Sequence, residues 1–149
     1  MFAFSSKLEA IRSEFGKLID LTGIEYTCLI ATAYLQQTGT VHVNSLAEHL
    51  HLSGAFITLQ TNKLAKKGYL IKRKDPDDAR RVQLEVTELG GEALESLVPV
   101  QRQVNDVLFT GLDHDQFLAM ATTFNRLVGN GDRASSLASY LTKAELDQR

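Results

Sequence analysis

At 149 residues the chain is long enough for one good hydrophobic core and short for two. Its 44% hydrophobic and 23% charged content is that of an ordinary globular protein, which excludes disordered and collagen-like classes. The net charge of −2 argues at first against a nucleic-acid partner, but between Lys63 and Arg81 eight bases stand against three acids, a local +5 that leaves −7 on the rest. A basic patch on an acidic body attracts phosphates without general stickiness. No apolar run reaches the roughly eighteen residues a membrane span needs, and the opening Met-Phe-Ala-Phe-Ser-Ser-Lys lacks the order of a signal peptide. A cytoplasmic location with no membrane partner is expected. One cysteine, Cys28, excludes an intrachain disulfide framework, fits a reducing compartment and leaves intermolecular pairing open.

Phe4, Leu8, Ile11, Phe15 and Leu18 recur at three- and four-residue steps, which predicts an amphipathic helix over about 5–20. Thr22 with Glu25 makes a capping box for a second helix with Tyr26, Leu29, Ile30 and Ala33 on one face, ending near Gln37 before Gly39. Residues 40–43 read as a short strand, with His42 outward, able to pair with a later hairpin. Asn44 or Ser45, with Glu48 as box partner, starts a third helix that buries Leu46, Ala47 and Leu50. His51 and Leu52 turn the chain, and Ser53 caps a fourth helix whose Ile57, Thr61 and Leu64 face inward. Gly68 suits the left-handed position that ends it.

Residues 69–74 and 82–86 then read as two strands. Val82, Leu84 and Val86 alternate with Gln83 and Glu85, and Asp75-Pro76-Asp77-Asp78-Ala79-Arg80 forms the turn. Thr87 caps a long helix over about 88–109, which Pro99 should kink. Asp113, with Gln116 as partner, caps another helix carrying Phe117, Met120, Ala121, Phe124 and Leu127. Gly129-Asn130-Gly131 is expected to end it, with a short last helix over about 134–142.

Two helices around a tight turn followed by a hairpin make a winged helix-turn-helix. The expected fold is therefore mainly α with a small β wing. Its parts are supporting N-terminal helices over 1–39, the DNA-reading winged helix-turn-helix over 40–91, and C-terminal dimerisation helices with a tail over 92–149. The stretches Leu46-Ala47-Glu48-His49-Leu50-His51-Leu52-Ser53, Lys63-Leu64-Ala65-Lys66-Lys67-Gly68-Tyr69-Leu70 and Asp75-Pro76-Asp77-Asp78-Ala79-Arg80-Arg81-Val82 running into Val86-Thr87-Glu88-Leu89-Gly90 carry a resemblance to the MarR family of bacterial transcriptional regulators. It covers most of the chain, and the wording of the wing is its most specific part.

A recognition helix presents its first residues to base edges in the major groove. With Ile57, Thr61 and Leu64 inward, the groove-facing set is Ser53, Ala55, Phe56, Thr58, Leu59 and Asn62, with Lys63 beside them. Asn pairs with adenine, Thr with several bases, and Ala or Phe touches a thymine methyl. Phe56 serves equally well as packing between the two helices. The family tends to place an arginine near Leu59 and a leucine near Gln60, so less guanine readout is expected here. At the wing, Arg80 is the candidate for the narrow minor groove, with Asp78 bonding its guanidinium. The resemblance supplies this assignment through the family's Asp-x-Arg wing motif. Lys66, Lys67, Lys72, Arg73, Lys74 and Arg81 are candidates for phosphate contacts, which position without specifying sequence.

The other candidate chemistries are weak. His49 and His51 do not share a helical face, His114 belongs to a first turn, and no Cys/His cluster has metal spacing, so no metal or cofactor is expected. No phosphate loop or nucleophile elbow is present, which argues against an enzyme. The reading is a homodimeric regulator, a repressor by resemblance, that binds a pseudo-palindrome in double-stranded DNA. The resemblance also implies release by a phenolic or carboxylic effector, for which Phe15, Tyr26 and Tyr34 are the candidate pocket aromatics, with a core role the favoured reading of each. The rivals are a winged-helix domain used for protein docking and an oxidant sensor acting through Cys28, although Cys28 lies in the second helix with no basic sequence neighbour.

Overall fold

A computed structural model of the chain describes residues 2–78 and 80–147. Its elements are α1 (Phe2–Leu18), α2 (Gly23–Gln36), β1 (Val41–His42), α3 (Val43–Leu50), α4 (Gly54–Lys66), β2 (Leu70–Lys74), β3 (Val82–Val86), α5 (Glu88–Leu108) and α6 (His114–Leu146). Two compact units result, Met1–Gln103 and Val104–Arg149.

In the first unit α2 is the central helix, touching α1, α3, α4, β1 and β3. Its start is the expected capping box: Glu25 N donates to Thr22 Oγ1 at 3.3 Å and Thr22 N to Glu25 Oε2 at 3.0 Å. Cys28, Leu29 and Thr32 are fully buried in it, as are Leu46 of α3 and Ile57 and Leu64 of α4, the two helices that pack on it. The period-three-and-four spacing of these residues thus becomes one core, with hydrophobic burial as its driving term.

The three strands form an antiparallel sheet in the order β1-β3-β2, with Val41 opposite Leu84 and Lys72 opposite Leu84 on the other side. Val41, Leu70 and Leu84 bury one face of it. Gly68 takes φ +84°, where a side chain would be strained, and lets Tyr69 N close the end of α4 on Leu64 O at 3.0 Å.

Three expectations need correction. His42 does not point outward; it is buried, because the wing folds back over it. The cap of α3 lies earlier than Asn44 or Ser45: His42 is the N-cap, and Ser45 reaches back to accept its amide at 2.9 Å. Gly129-Asn130-Gly131 does not stop the last helix, and α6 runs on as one helix of 33 residues. Each glycine costs the helix about 1 kcal/mol but neither forbids it, and Leu137 and Leu141 continue the spacing set by the residues before them. The Asp113 cap with Gln116 forms as expected, and α5 continues through Pro99.

Gln60 is buried on α4, and its Oε1 meets no hydrogen-bond donor among the described residues. A buried acceptor left unpaired costs about 1–3 kcal/mol. Gln60→Leu keeps the volume and removes the orphan, so it should raise the unfolding free energy by about 1 kcal/mol, read as a higher denaturant midpoint at unchanged m-value. An unchanged or lower midpoint would mean that the amide is satisfied.

Candidate nucleic-acid interface

The outward face of α4 follows from what its inward face buries. Ser53 Oγ accepts the Phe56 amide at 3.3 Å, which sets the phase of the helix. Ile57, Gln60, Thr61 and Leu64 are then buried, and Ser53, Ala55, Phe56, Thr58, Leu59, Asn62 and Lys63 are exposed. Phe56 and Leu59 are 39% and 52% exposed, an apolar pair that a purely structural helix would cover. Thr58 Oγ1 donates to Gly54 O at 2.8 Å, so toward a base its hydroxyl is an acceptor. Asn62 Oδ1 accepts from Lys72 Nζ at 2.6 Å, so what the side chain keeps to offer a base is its amide NH2, a donor.

At the wing, Asp75 is the organising residue, and sequence reasoning missed it. It is only 8% exposed. Its Oδ1 accepts the Asp77 and Asp78 amides at 2.9 and 3.1 Å; its Oδ2 accepts Gln83 Nε2 at 3.0 Å and His42 Nε2 at 2.5 Å. The Gln83 amide and the His42 imidazole, helped by the Asp77 and Asp78 amides, outweigh burial and hold its carboxyl well below the usual carboxylate range. The loop is closed by Asp75 N to Arg81 O at 3.1 Å and Arg81 N to Asp78 O at 2.9 Å. Asp at the first position of an Asp-Pro-Asp turn is a local signal for such bonding. The His42 and Gln83 partners lie too far along the chain for any local signal.

Asp78 departs from the expected bond. Its Oδ1 accepts the backbone amide of Arg80 at 3.0 Å, the Asx geometry that a short carboxylate reaches most easily. It thus sets the backbone that carries Arg80 rather than holding the guanidinium. Both side chains are exposed at the tip.

The basic set divides by what each group already holds. Lys66, Lys74 and Arg81 are exposed. Lys67 is drawn away: its Nζ donates to Asp20 O at 2.7 Å and pairs with Glu25 Oε2 at 3.2 Å. Burial pushes the Glu25 carboxyl up, but the Thr22 amide and the Lys67 ammonium outweigh it and leave the group below its ordinary value. Lys67 therefore neutralises a buried acid while its residue stays exposed, so a phosphate would have to compete with Glu25 for it. Lys72 is half-buried, bonds Thr61 and Asn62, and burial pushes its ammonium down. Arg73 lies 3.5 Å from Glu85. Lys72, Arg80 and Arg81 nonetheless converge, with His42, Asn44 and Thr58, on a concavity of about 150 Å³ between α3, α4 and the wing.

The candidate effector aromatics do not meet in one place. Phe15 and Tyr26 are buried edge to face at 5.8 Å, whereas Tyr34 is 61% exposed and stacks on His49 at 5.9 Å. A cavity of about 370 Å³ opens instead beside the sheet, lined by Gln36, Thr40, Arg73, Gln83 and Glu85 among others. Cys28 is fully buried, and burial with the nearby Glu25 charge pushes its thiol up to about 11. Among the described residues, no three His, Cys, Asp or Glu side chains come together as a metal site. No single helix there is long and apolar enough to cross a membrane.

A capped recognition helix with an exposed outer face, set beside a charged hairpin, defines a winged helix-turn-helix protein. The MarR family model matches residues 33–82. The HTH-type transcriptional regulator SarZ of Staphylococcus saprophyticus is 30% identical over 106 residues, 70% of each chain, and the regulator YdcH of Bacillus subtilis is 28% identical over 67% of this chain and 69% of its own. The chain belongs to the MarR family. Among solved structures, a MarR protein from Peptoclostridium difficile superposes with a TM-score of 0.75 at 20% identity, covering 88% of this chain and 84% of that one. The S. aureus MepR–DNA complex superposes with a TM-score of 0.72 at 16% identity, covering 86% and 91%.

Proposed function

We propose that the protein is a homodimeric, sequence-specific DNA-binding transcriptional regulator, acting as a repressor in the cytoplasm. The observation that carries the DNA reading is the outer face of α4, free of core duties from Ser53 to Lys63 and flanked by Arg80 on the wing. The names of the relatives and the MepR–DNA complex agree with it. Two recognition helices related by a two-fold axis would read successive major grooves about 34–36 Å apart, so the operator should be a pseudo-palindrome. Selection of bound duplexes from a random pool tests this. An enriched inverted repeat is expected, and enrichment of a single unrepeated site would sink the dimeric reading.

Arg80→Ala tests the wing. Affinity should fall by about 1–3 kcal/mol and discrimination of A·T-rich flanks should weaken, whereas Lys66→Ala should weaken all duplexes alike and lower the salt slope by about one. Gel-shift titrations at several salt concentrations read both, and an unchanged Arg80 variant removes the minor-groove role.

Release by a small phenolic or carboxylic ligand belongs to the same proposal. A ligand that binds one spacing of the two reading heads better than the other lowers DNA affinity by linkage. The cavity beside the sheet, with Arg73 and Gln36 in its lining, has room for a single aromatic ring. A thermal-shift series with aromatic acids tests it. The docking-module rival is weakened by the convergence of three basic side chains at the wing, and the Cys28 oxidant-sensor rival by a thiol that is both buried and protonated.

A further inference from the structure

His42 sits between an acid and a base. Its Nε2 lies 2.5 Å from Asp75 Oδ2, and on the other side of the ring Nδ1 lies 3.4 Å from Arg81 Nη2. A carboxylate only accepts and a guanidinium only donates. Both contacts exist together only for the neutral ring with its proton on Nε2, so that Nε2–H donates to Asp75 and the Nδ1 lone pair accepts from Arg81. The Asp75 end is fixed by its bonds to Gln83, Asp77 and Asp78. The Arg81 end is exposed, at the mouth of the concavity shared with Arg80 and Lys72.

We propose that His42 is a positioning residue for DNA binding: anchored by Asp75, the neutral imidazole holds the Arg81 guanidinium toward a backbone phosphate, and protonation at Nδ1 releases it. The proposal rests on the DNA-binding reading. When solvent supplies a second proton, Nδ1–H replaces the lone pair, donor faces donor, and two cations meet. The Asp75 bond survives, because Nε2–H still donates to it. Arg81 must therefore turn away, and one ordered phosphate contact is lost.

The groups facing His42 set the sense of this response. Asp75 from the wing favours the charged ring. Arg81 and Arg80 from the wing and Lys72 from β2 oppose it, α4 contributes the neutral Thr58, and the N-terminus of α3, which His42 caps, also disfavours a cation. Because a second proton on the ring releases Arg81, affinity should fall on acidification, although the ring itself gains a positive charge. A ring that acted only as one more cation near phosphate would do the reverse.

The test is duplex affinity against pH and salt for the wild type, His42→Gln, Arg81→Ala and the double variant. The His42→Gln side chain places an amide donor toward Asp75 and a carbonyl acceptor toward Arg81 at every pH. From pH 7.5 to 5.5 the wild type should lose roughly fivefold in affinity at 0.1 M salt and about one unit of salt slope, the worth of one phosphate contact. His42→Gln should match the wild type at pH 7.5 and lose neither on acidification. In the Arg81→Ala background the effect of His42→Gln should vanish. Affinity that rises with acid in a His42-dependent way, or identical pH profiles for wild type and His42→Gln, overturns the proposal. Nitrogen NMR of the free protein separates this from the DNA reading. It should show the Nε2–H tautomer at pH 7.5 and Arg81 resonances that follow the His42 titration. If no duplex binds at any pH, the DNA reading fails, and Arg81 resonances indifferent to His42 overturn the relay by themselves.

Discussion

A protein carrying Leu137→Glu and Leu141→Glu will be monomeric at micromolar concentration and will lose operator affinity by roughly a hundredfold or more. No residue of α6 is buried, yet Leu127, Val128, Leu137, Tyr140 and Leu141 are between 43% and 70% exposed along it. From Leu127 to Leu141 these residues cover about 20 Å of the helix, and an apolar stripe of that length left in water marks an interaction surface. A second copy of the chain is the proposed cover. Leu137 and Leu141 are four apart and lie on one face, so two carboxylates there would have to be buried in the interface without partners. The loss of affinity follows from multivalency. A second reading head tethered to the first binds at an effective concentration that raises overall affinity by about a hundredfold to ten-thousandfold, and a monomer forfeits it. Light scattering and gel shift on the same samples read both effects. A variant that stays dimeric would place the interface elsewhere, and a monomeric one of undiminished affinity would separate dimerisation from DNA binding.

Gly90→Ala will destabilise the first unit by about 3 kcal/mol, a drop in Tm of about 10 °C, while Gly91→Ala will leave stability unchanged or raise it by up to about 1 kcal/mol. Both glycines lie in the first turn and a half of α5, where alanine is the better helix former. The difference is purely tertiary. A Cβ on Gly90 would sit 2.4 Å from Tyr69 O and 2.9 Å from Val86 Cγ1, whereas one on Gly91 would meet nothing within 4 Å. Tyr69 O cannot give way easily, because it accepts the Thr87 amide at 3.1 Å just as α5 begins. Thr87 in turn bonds Gly68 O at 2.7 Å and the Gly90 amide at 3.0 Å, so the end of α4, the start of β2 and the start of α5 are tied at one point. Chemical denaturation of the two variants decides it; equal stabilities would mean that this junction is looser than its distances.

Most of the helices, the caps of α2, α4 and α6 and the hairpin were legible from local chemistry, whereas the cap of α3 was not. Thr22 with Glu25, Ser53 before its helix, Gly68 after it and Asp113 with Gln116 each satisfy orphan backbone groups within three or four residues, and such bonds depend on little beyond the neighbouring sequence. The inward face of the recognition helix was readable for a similar reason. Ile57, Thr61 and Leu64 must share a side once a helix forms, and the residues between them are then left for a partner.

Local spacing and capping thus carry the order of the elements as far as α5 and the inward face of α4, because both depend only on residues a few positions apart. The polar and charged groups take their roles from partners in distant segments, which come together only when the chain folds. His42 read as an outward strand residue until the wing, 33 residues on, brought Asp75 against it. Lys67 reads from the sequence as a free surface cation, and the pair it makes with the buried Glu25 of α2 has no local signal. The glycines near the end read as a stop until the apolar spacing carried α6 through them. A charge takes its role from whichever opposite group the fold delivers, and no spacing along the chain reports that.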